Sequence, residues 1–279
     1  MKKILIPTDF SENSGDAFAY ALELLTNVKT EIQIVHIIPP VSGQGNDVTV
    51  SAKLMGEMIL EAEDNMESIR VFGKDFFESM DLPNITLKTF VRIGEIIPGI
   101  KRIAKELEPD MIIMGTQGAN HSTLEKVIGT ISTAILKKMT CPIILVPKGY
   151  KYQKIDNLIF MTSLHPADPF KLWKATQTLS PHKPLIRCLY VKPEDKEVNT
   201  KKVETFAKYI VESSPSIRTV FNIETGDKFT PVVNDYVATY DAELVVMSKS
   251  QKSVLADLFS ASYTKKMVND LTVPLLVMD

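Results

Sequence analysis

The sequence predicts an α/β fold built twice over: two open five-stranded parallel sheets in tandem, each with helices on both faces. Three observations predict it. Short β-rich apolar runs alternate with amphipathic segments along the whole chain, as in parallel sheets joined by crossover helices. The runs MIIM, PIILV, LVVM and PLLV are apolar throughout, as expected of strands covered on both sides. Five such runs also recur in the same order in the second half, and a repeat of that length decides the architecture before any motif does.

The first pair of runs is Ile4 to Asp9 (ILIPTD) and Leu158 to Ser163 (LIFMTS), 154 positions apart. The second pair, Ile32 to Pro40 and Ile186 to Glu194, keeps that offset, with Pro39 falling on Pro193. The third, Ile85 to Gly94 and Ile217 to Gly226, is offset by 132; DMIIM and ELVVM by 133; CPIILV and VPLLVM by 132. The drop of 22 places one deletion in the second copy, between its second and third strands. The boundary falls in the mostly polar segment Lys148 to Asn157, giving domains 1–148 and 155–279.

Helices fill the gaps. Ser11 or Asn13 caps one over Gly15 to Asn27. A long one from Val50 to Glu78 repeats apolar residues at Leu54, Met58, Ala62, Met66 and Ile69. The Met-rich stripe at Met55, Met58 and Met66 fits plain core or interface packing better than a partner surface. A third helix runs from Ile96 to Leu107, and a fourth from Thr130 to Thr140, before Pro142.

The 279 residues are 44% hydrophobic and 24% charged with a net charge of −2, which excludes a disordered chain and gives no basic footprint for nucleic acid or an anionic membrane. Two isolated cysteines, Cys141 and Cys188, lie in apolar runs and read as reduced thiols. The N-terminal apolar stretch is too short for a signal peptide or a membrane span, so the expected location is the cytoplasm.

The chemistry concentrates at one loop. In the first copy the strand MIIM runs into Gly115-Thr116-Gln117-Gly118, and ten residues later Gly129-Thr130 opens a helix. Glycines at a strand end admit close backbone approach, and a helix N-terminus offers unpaired N–H donors to phosphate. The pattern is neither a Walker loop nor a dinucleotide fingerprint, and taken alone the glycines have turn residues as their alternative reading. Asp9 ends the first strand, expected beside the glycine strand; its carboxylate either faces a ligand in the shared crevice or caps the following helix.

ILIPTDFSENS, VHI, IIMGTQGA, the Gly-Thr pair and CPIILVP together resemble the universal stress protein family, strongly over Met1 to Lys148 and more weakly in the second half. The resemblance implies the Rossmann-like, adenine nucleotide alpha hydrolase-like fold, tandem domains, and last strands that pair within the chain as a pseudo-dimer, with a further homodimer also open. It implies ATP or AMP as ligand, with Mg as the counter-ion of ATP. Pro7, Thr8 and Asp9 would line the adenine and ribose side, and Ile37 would pack the base. Met114, Gly115 and Gly118 would turn beneath the ribose and α-phosphate, and Gly129, Thr130 and Ile131 would meet the phosphates. The loop 119–128 has one residue more than the family pattern, which leaves the choice among AMP, ADP and ATP open.

The second copy has Ser248 and Ser163 where the first has Gly115 and Asp9, and it lacks all three glycines. Lys249 and Lys252 read as solvated surface, and His121 as an exposed loop residue. No histidine or cysteine pair has metal-ligand spacing, and no catalytic constellation appears, so at most a slow ATPase is expected. Three readings follow: a nucleotide-binding stress protein signalling to unidentified protein partners, a scaffold that binds no nucleotide, and a slow ATP hydrolase.

Overall fold

The computed structural model describes residues 1–41, 48–116, 130–179, 181–195, 197–213, 217–227, 229–249 and 272–279. The first half runs β1 (Lys2–Pro7), α1 (Glu12–Leu24), β2 (Thr30–Ile38), α2 (Val48–Ser79), β3 (Ile85–Ile93), α3 (Ile96–Leu107), β4 (Met111–Gly115), α4 (Thr130–Lys138) and β5 (Ile143–Val146). The second runs β6 (Asn157–Met161), α5 (Asp168–Thr178), β7 (Leu185–Lys192), α6 (Thr200–Ser213), β8 (Thr219–Thr225), α7 (Phe229–Thr239), β9 (Leu244–Ser248) and β10 (Leu275–Met278).

All ten strands form one sheet in the order β3-β2-β1-β4-β5-β10-β9-β6-β7-β8. Every neighbouring pair is parallel except β5 and β10, which are antiparallel and join the halves. Alternate residues feed two cores. Ile4, Ile6, Ile113 and Val146 face α1 and α2, while Leu5, Ile112, Met114 and Leu145 face α3 and α4. The second half divides its strands in the same way.

The duplication extends to single hydrogen bonds. The Asp110 N–H donates to the Lys3 carbonyl at 2.9 Å, and that of Glu243 to the Asn157 carbonyl at 3.1 Å. In return the Lys3 N–H donates to the Asp110 carboxylate and the Asn157 N–H to the Glu243 carboxylate, both at 2.7 Å. Thr8 and Thr162, at the ends of β1 and β6, donate their N–H to Val35 and Leu189. Two residues later Phe10 and Leu164 both adopt left-handed backbone, φ 61° and 58°. This is an unusual conformation for large side chains, and each N–H is held by the preceding threonine Oγ1.

Helix α1 is displaced by three residues at both ends, Glu12–Leu24 where the sequence predicts Gly15 to Asn27. Ser11 caps α1, accepting from the Ser14 N–H, so the helix begins three residues earlier, and Asn13 is left for another role. In α2 the apolar stripe is buried only from Ala62 onward. Leu54 is exposed, and Met55 and Met58 are half-buried. The deletion in the second copy shortens the helix between its second and third strands: α6 has 14 residues where α2 has 32. Both thiols are free. Burial, reinforced by the Asp168 charge, pushes that of Cys188 up to about 12, whereas Cys141 is only partly covered. Among the described residues no helix is long and apolar enough to cross a membrane.

The segment between the halves is packed rather than loose. The Gly149 N–H donates to Asp16 at 2.7 Å, Lys148 pairs with Glu12 at 2.9 Å, and Tyr150 and Tyr152 meet the Tyr20 ring edge-on. Ile155 is fully buried. Across the halves, Lys2 Nζ donates to the Thr178 carbonyl at 2.6 Å, and His182 Nε2 donates to the Leu24 carbonyl at 3.1 Å.

Burial pushes the His182 imidazole below its ordinary 6.5, partly opposed by the Leu24 carbonyl. The folded chain therefore binds this proton less readily than the unfolded one. The stability contributed by neutral His182 is present above that ordinary value and is lost as pH falls through the lower folded value. Denaturant midpoints measured between about pH 7.5 and about pH 5 should thus fall more steeply for the wild type than for His182→Gln.

Candidate functional site

Strand order reverses between β1 and β4. After β1 the chain turns to the face carrying α1 and α2; after β4 it turns to the face carrying α3 and α4. Their carboxyl ends therefore diverge and open a crevice, the usual ligand position in open α/β sheets. The described walls of this crevice are the β1–α1 turn and the end of β4 with the start of α4.

The β1–α1 turn is tied internally. Asp9 Oδ1 accepts from the Ser11 N–H at 3.1 Å and its hydroxyl at 2.6 Å, so Asp9 braces the capping residue, while the helix itself is capped by Ser11 and not by Asp9. Thr8 Oγ1 accepts from the Phe10 N–H at 3.0 Å and shares a hydrogen bond with Ser14 Oγ at 2.9 Å. The Thr8 carbonyl accepts from His36 Nδ1 at 2.8 Å, and the His36 ring lies 4.3 Å from that of Phe10. Pro7 is half-buried beside them.

On the opposite wall Met114 and Gly115 are buried at the end of β4. A Cβ on Gly115 would stand 2.6 Å from Asn13 Oδ1 and 2.8 Å from the Asn13 carbonyl oxygen. Glycine is required here by the first turn of α1 packing onto the strand end. Asn13 Nδ2 donates to the Val146 carbonyl at 3.1 Å, which also accepts from the Thr116 N–H, linking the ends of β4 and β5 through α1. Ser132 Oγ donates to the Gly115 carbonyl at 3.1 Å, holding the first turn of α4 against β4.

Ile131 is half-buried in that turn, and Thr130 opens the helix. Ile37 is buried beneath α3, where a Cβ on Gly99 would lie 2.6 Å from Ile37 Cδ1 and the end of that side chain would have to shift. Gly118, Gly129 and His121 lie outside the described residues. The structure thus brings the β1 end, the β4 end and the start of α4 to one crevice, with Ile37 in the adjoining core. Sequence reasoning missed Ser14, His36 and Ser132 as its fasteners. The only advance signal was that Asn13 and Ser11 both suit a helix start.

A model of the universal stress protein family matches residues 1–147, just over half of the chain. The chain belongs to that family. A universal stress protein of Methanocaldococcus jannaschii is 24% identical over 152 residues, covering 54% of this chain and 84% of that protein. The universal stress protein A homolog 1 of Coxiella burnetii is 26% identical over 147 residues, covering 52% and 95%. A solved universal stress protein from Archaeoglobus fulgidus superposes along the whole molecule, with a TM-score of 0.74 at 17% identity, covering 99% of this chain and 96% of that one. That likeness shows a shared fold over both halves.

Within this universal stress protein the second half fills the corresponding positions differently. Ser248 stands at the Gly115 position, and Ala167 stands where Asn13 does, so a smaller side chain accompanies the larger strand residue. Lys171 Nζ donates to Ser248 Oγ. Lys249, expected as solvated surface, is instead half-buried and donates to the Met139 carbonyl at the end of α4; burial lowers its affinity for its proton, with Asp279 opposing. Lys252 lies outside the described residues. Among those described, no group of three or more His, Cys, Asp or Glu side chains converges as a metal site.

The Asn13–Gly115 contact makes a stability prediction. Gly115→Ala should cost about 1–3 kcal/mol through overpacking. The double change Asn13→Ala with Gly115→Ser imitates the Ala167–Ser248 pair, and should cost less than the sum of its single changes by about 1 kcal/mol in denaturant titrations.

Proposed function

We propose that the first half binds one adenine nucleotide, ATP or AMP, in the crevice between the ends of β1 and β4, and that this chain acts as a nucleotide-responsive stress protein. The observation that carries the reading is the fastening of that crevice. Ser132 holds the start of α4 at the β4 carboxyl end, so the positive end of a helix faces the strand-end opening where phosphates would lie. Gly118 and Gly129, at the phosphate turn by family resemblance, fall in the segment joining these two fastened ends.

In this reading Asp9 has two functions. One carboxylate oxygen organises the turn through Ser11, and a carboxylate has capacity for about four hydrogen bonds, enough to accept from an adenine or ribose group as well. Pro7 and Met114 line the base and ribose side, Ile37 supports it from the core, and the backbone of Thr130 and Ile131 meets the phosphates. Mg²⁺ accompanies ATP as its counter-ion. The second half, with Ser163 and Ser248 at the equivalent points, takes no nucleotide.

Calorimetry on the full chain should give one nucleotide site per molecule. Gly118→Arg should abolish the heat, and Asp9→Asn should weaken binding about tenfold or more through loss of a charge-assisted acceptor. No heat with ATP, ADP or AMP, together with no nucleotide absorbance released on denaturation, would overturn the reading.

A further inference from the structure

The second half contains a cavity of about 700 Å³ between the β6–α5 turn and the first turns of α6. Its volume lies within the roughly 300–1,000 Å³ of small-molecule sites. The apolar part is built by Leu164, Pro169 and Phe206, of which Leu164 and Phe206 are buried. The polar part is formed chiefly by His165, Lys201 and Lys202, and among the described residues no acidic side chain lines the cavity.

The hydrogen bonding of the turn decides which groups face a ligand. Buried Asp168 Oδ2 accepts from the Ser163 N–H at 3.0 Å, the His165 N–H at 3.2 Å, and the hydroxyls of Thr162 and Ser163 at 2.8 and 3.3 Å. These backbone donors are consumed inward, so a ligand must be held by side chains. His165 Nδ1 accepts from the Ala167 N–H at 3.1 Å, which puts the ring proton on Nε2 as a donor. Neither Lys201 nor Lys202 has a carboxylate within 4.0 Å among the described residues. In the first half the residues equivalent to Ser163 and Pro166 are Asp9 and Glu12, so the described lining that is free of acids in the second half carries two acids at the equivalent points of the first.

We propose that this cavity binds a small organic anion: a carboxylate or phosphate ester carried on a compact apolar body. The body packs against Leu164, Pro169 and Phe206, and the head group meets Lys201, Lys202 and His165 Nε2–H. The site is separate from the nucleotide crevice of the first half and does not depend on it.

The test uses the full chain carrying Gly118→Arg, so that the first-half crevice cannot account for phosphate binding. Phenyl phosphate, 3-phenylpropionate and the uncharged 3-phenylpropanol are titrated by calorimetry. Fluorescence of Trp173, the sole tryptophan and one turn along α5 from Pro169, is a second readout. At least one anion should bind, about tenfold or more tighter than the alcohol; which of them binds assigns the head group. Lys201→Glu with Lys202→Glu should weaken binding about tenfold or more, and Thr205→Phe should block the cavity. These three positions are exposed, so far-UV circular dichroism should be unchanged. A measurement needing no further substitution is ionic strength, whose increase should weaken anion binding. The proposal is overturned by no binding of either anion at about 10 mM, by equal binding of the alcohol, or by binding indifferent to these substitutions.

Discussion

The architecture depends on the short antiparallel ladder between β5 and β10. Each strand has four residues, all buried, and each ends the strand sequence of its half. Alone, either would be an apolar sheet edge with an open row of backbone donors and acceptors, a site for unwanted association. Paired, the strands turn two five-stranded sheets into one of ten. Ile144 lies opposite Leu276, and these two residues occupy equivalent places in the repeat. The ladder therefore has the self-complementary geometry of a two-fold contact, realised within one chain. Contacts around it make the halves one packing unit: Lys249 to the Met139 carbonyl, His182 to Leu24, and Lys2 to Thr178.

On this common scaffold, chemistry has diverged by moving a few groups between equivalent points. The first half has an acid at the strand end, Asp9, and a serine in the helix, Ser14. The second has Ser163 at the strand end and the acid Asp168 in the helix. Both arrangements support the same left-handed residue through the same threonine bond. What changes is where the negative charge sits: half-exposed at the crevice in one, buried beneath the turn in the other. Asn13 with Gly115 and Ala167 with Ser248 form a second exchange: in the first half a large side chain in the helix requires none on the strand, and in the second both identities are changed.

Much of this was legible before any coordinates. The changing offsets of the five apolar runs match the sheet: Ile4 pairs with Met111, and their repeat partners Leu158 and Leu244 pair likewise. Apolar period and strand order are encoded locally, which is why they could be read. Burial was less legible. Leu54, Met58, Ala62 and Met66 share one helix face, yet only the later part of α2 lies over the core. Periodicity identifies a face and does not say what covers it. The role of Gly115 was hidden for a related reason: its neighbour Asn13 is about a hundred residues away, and no local pattern reports that contact. Lys249 was misread because a lysine after a strand is usually solvated, whereas here an unpaired carbonyl at the end of α4 lies across the junction.

The antiparallel junction also fixes the relation between the two proposed ligand places. Parallel strands in the first half point their carboxyl ends one way, and those of the second half point the other way. The crevice at β1 and β4 and the cavity at the β6–α5 turn therefore lie at opposite ends of the sheet, too far apart to share a small ligand. The helix α4 spans part of that distance: nine residues, about 13 Å of axis. Its N-terminus adjoins the crevice, and Lys249 of the second half reaches the carbonyl just beyond its C-terminus. A cation at that end and a phosphate at the other both suit the helix dipole. The same helix is thus gripped by the second half at one end and presented to the crevice at the other, which adds to the strand ladder a physical link from the second half to the crevice.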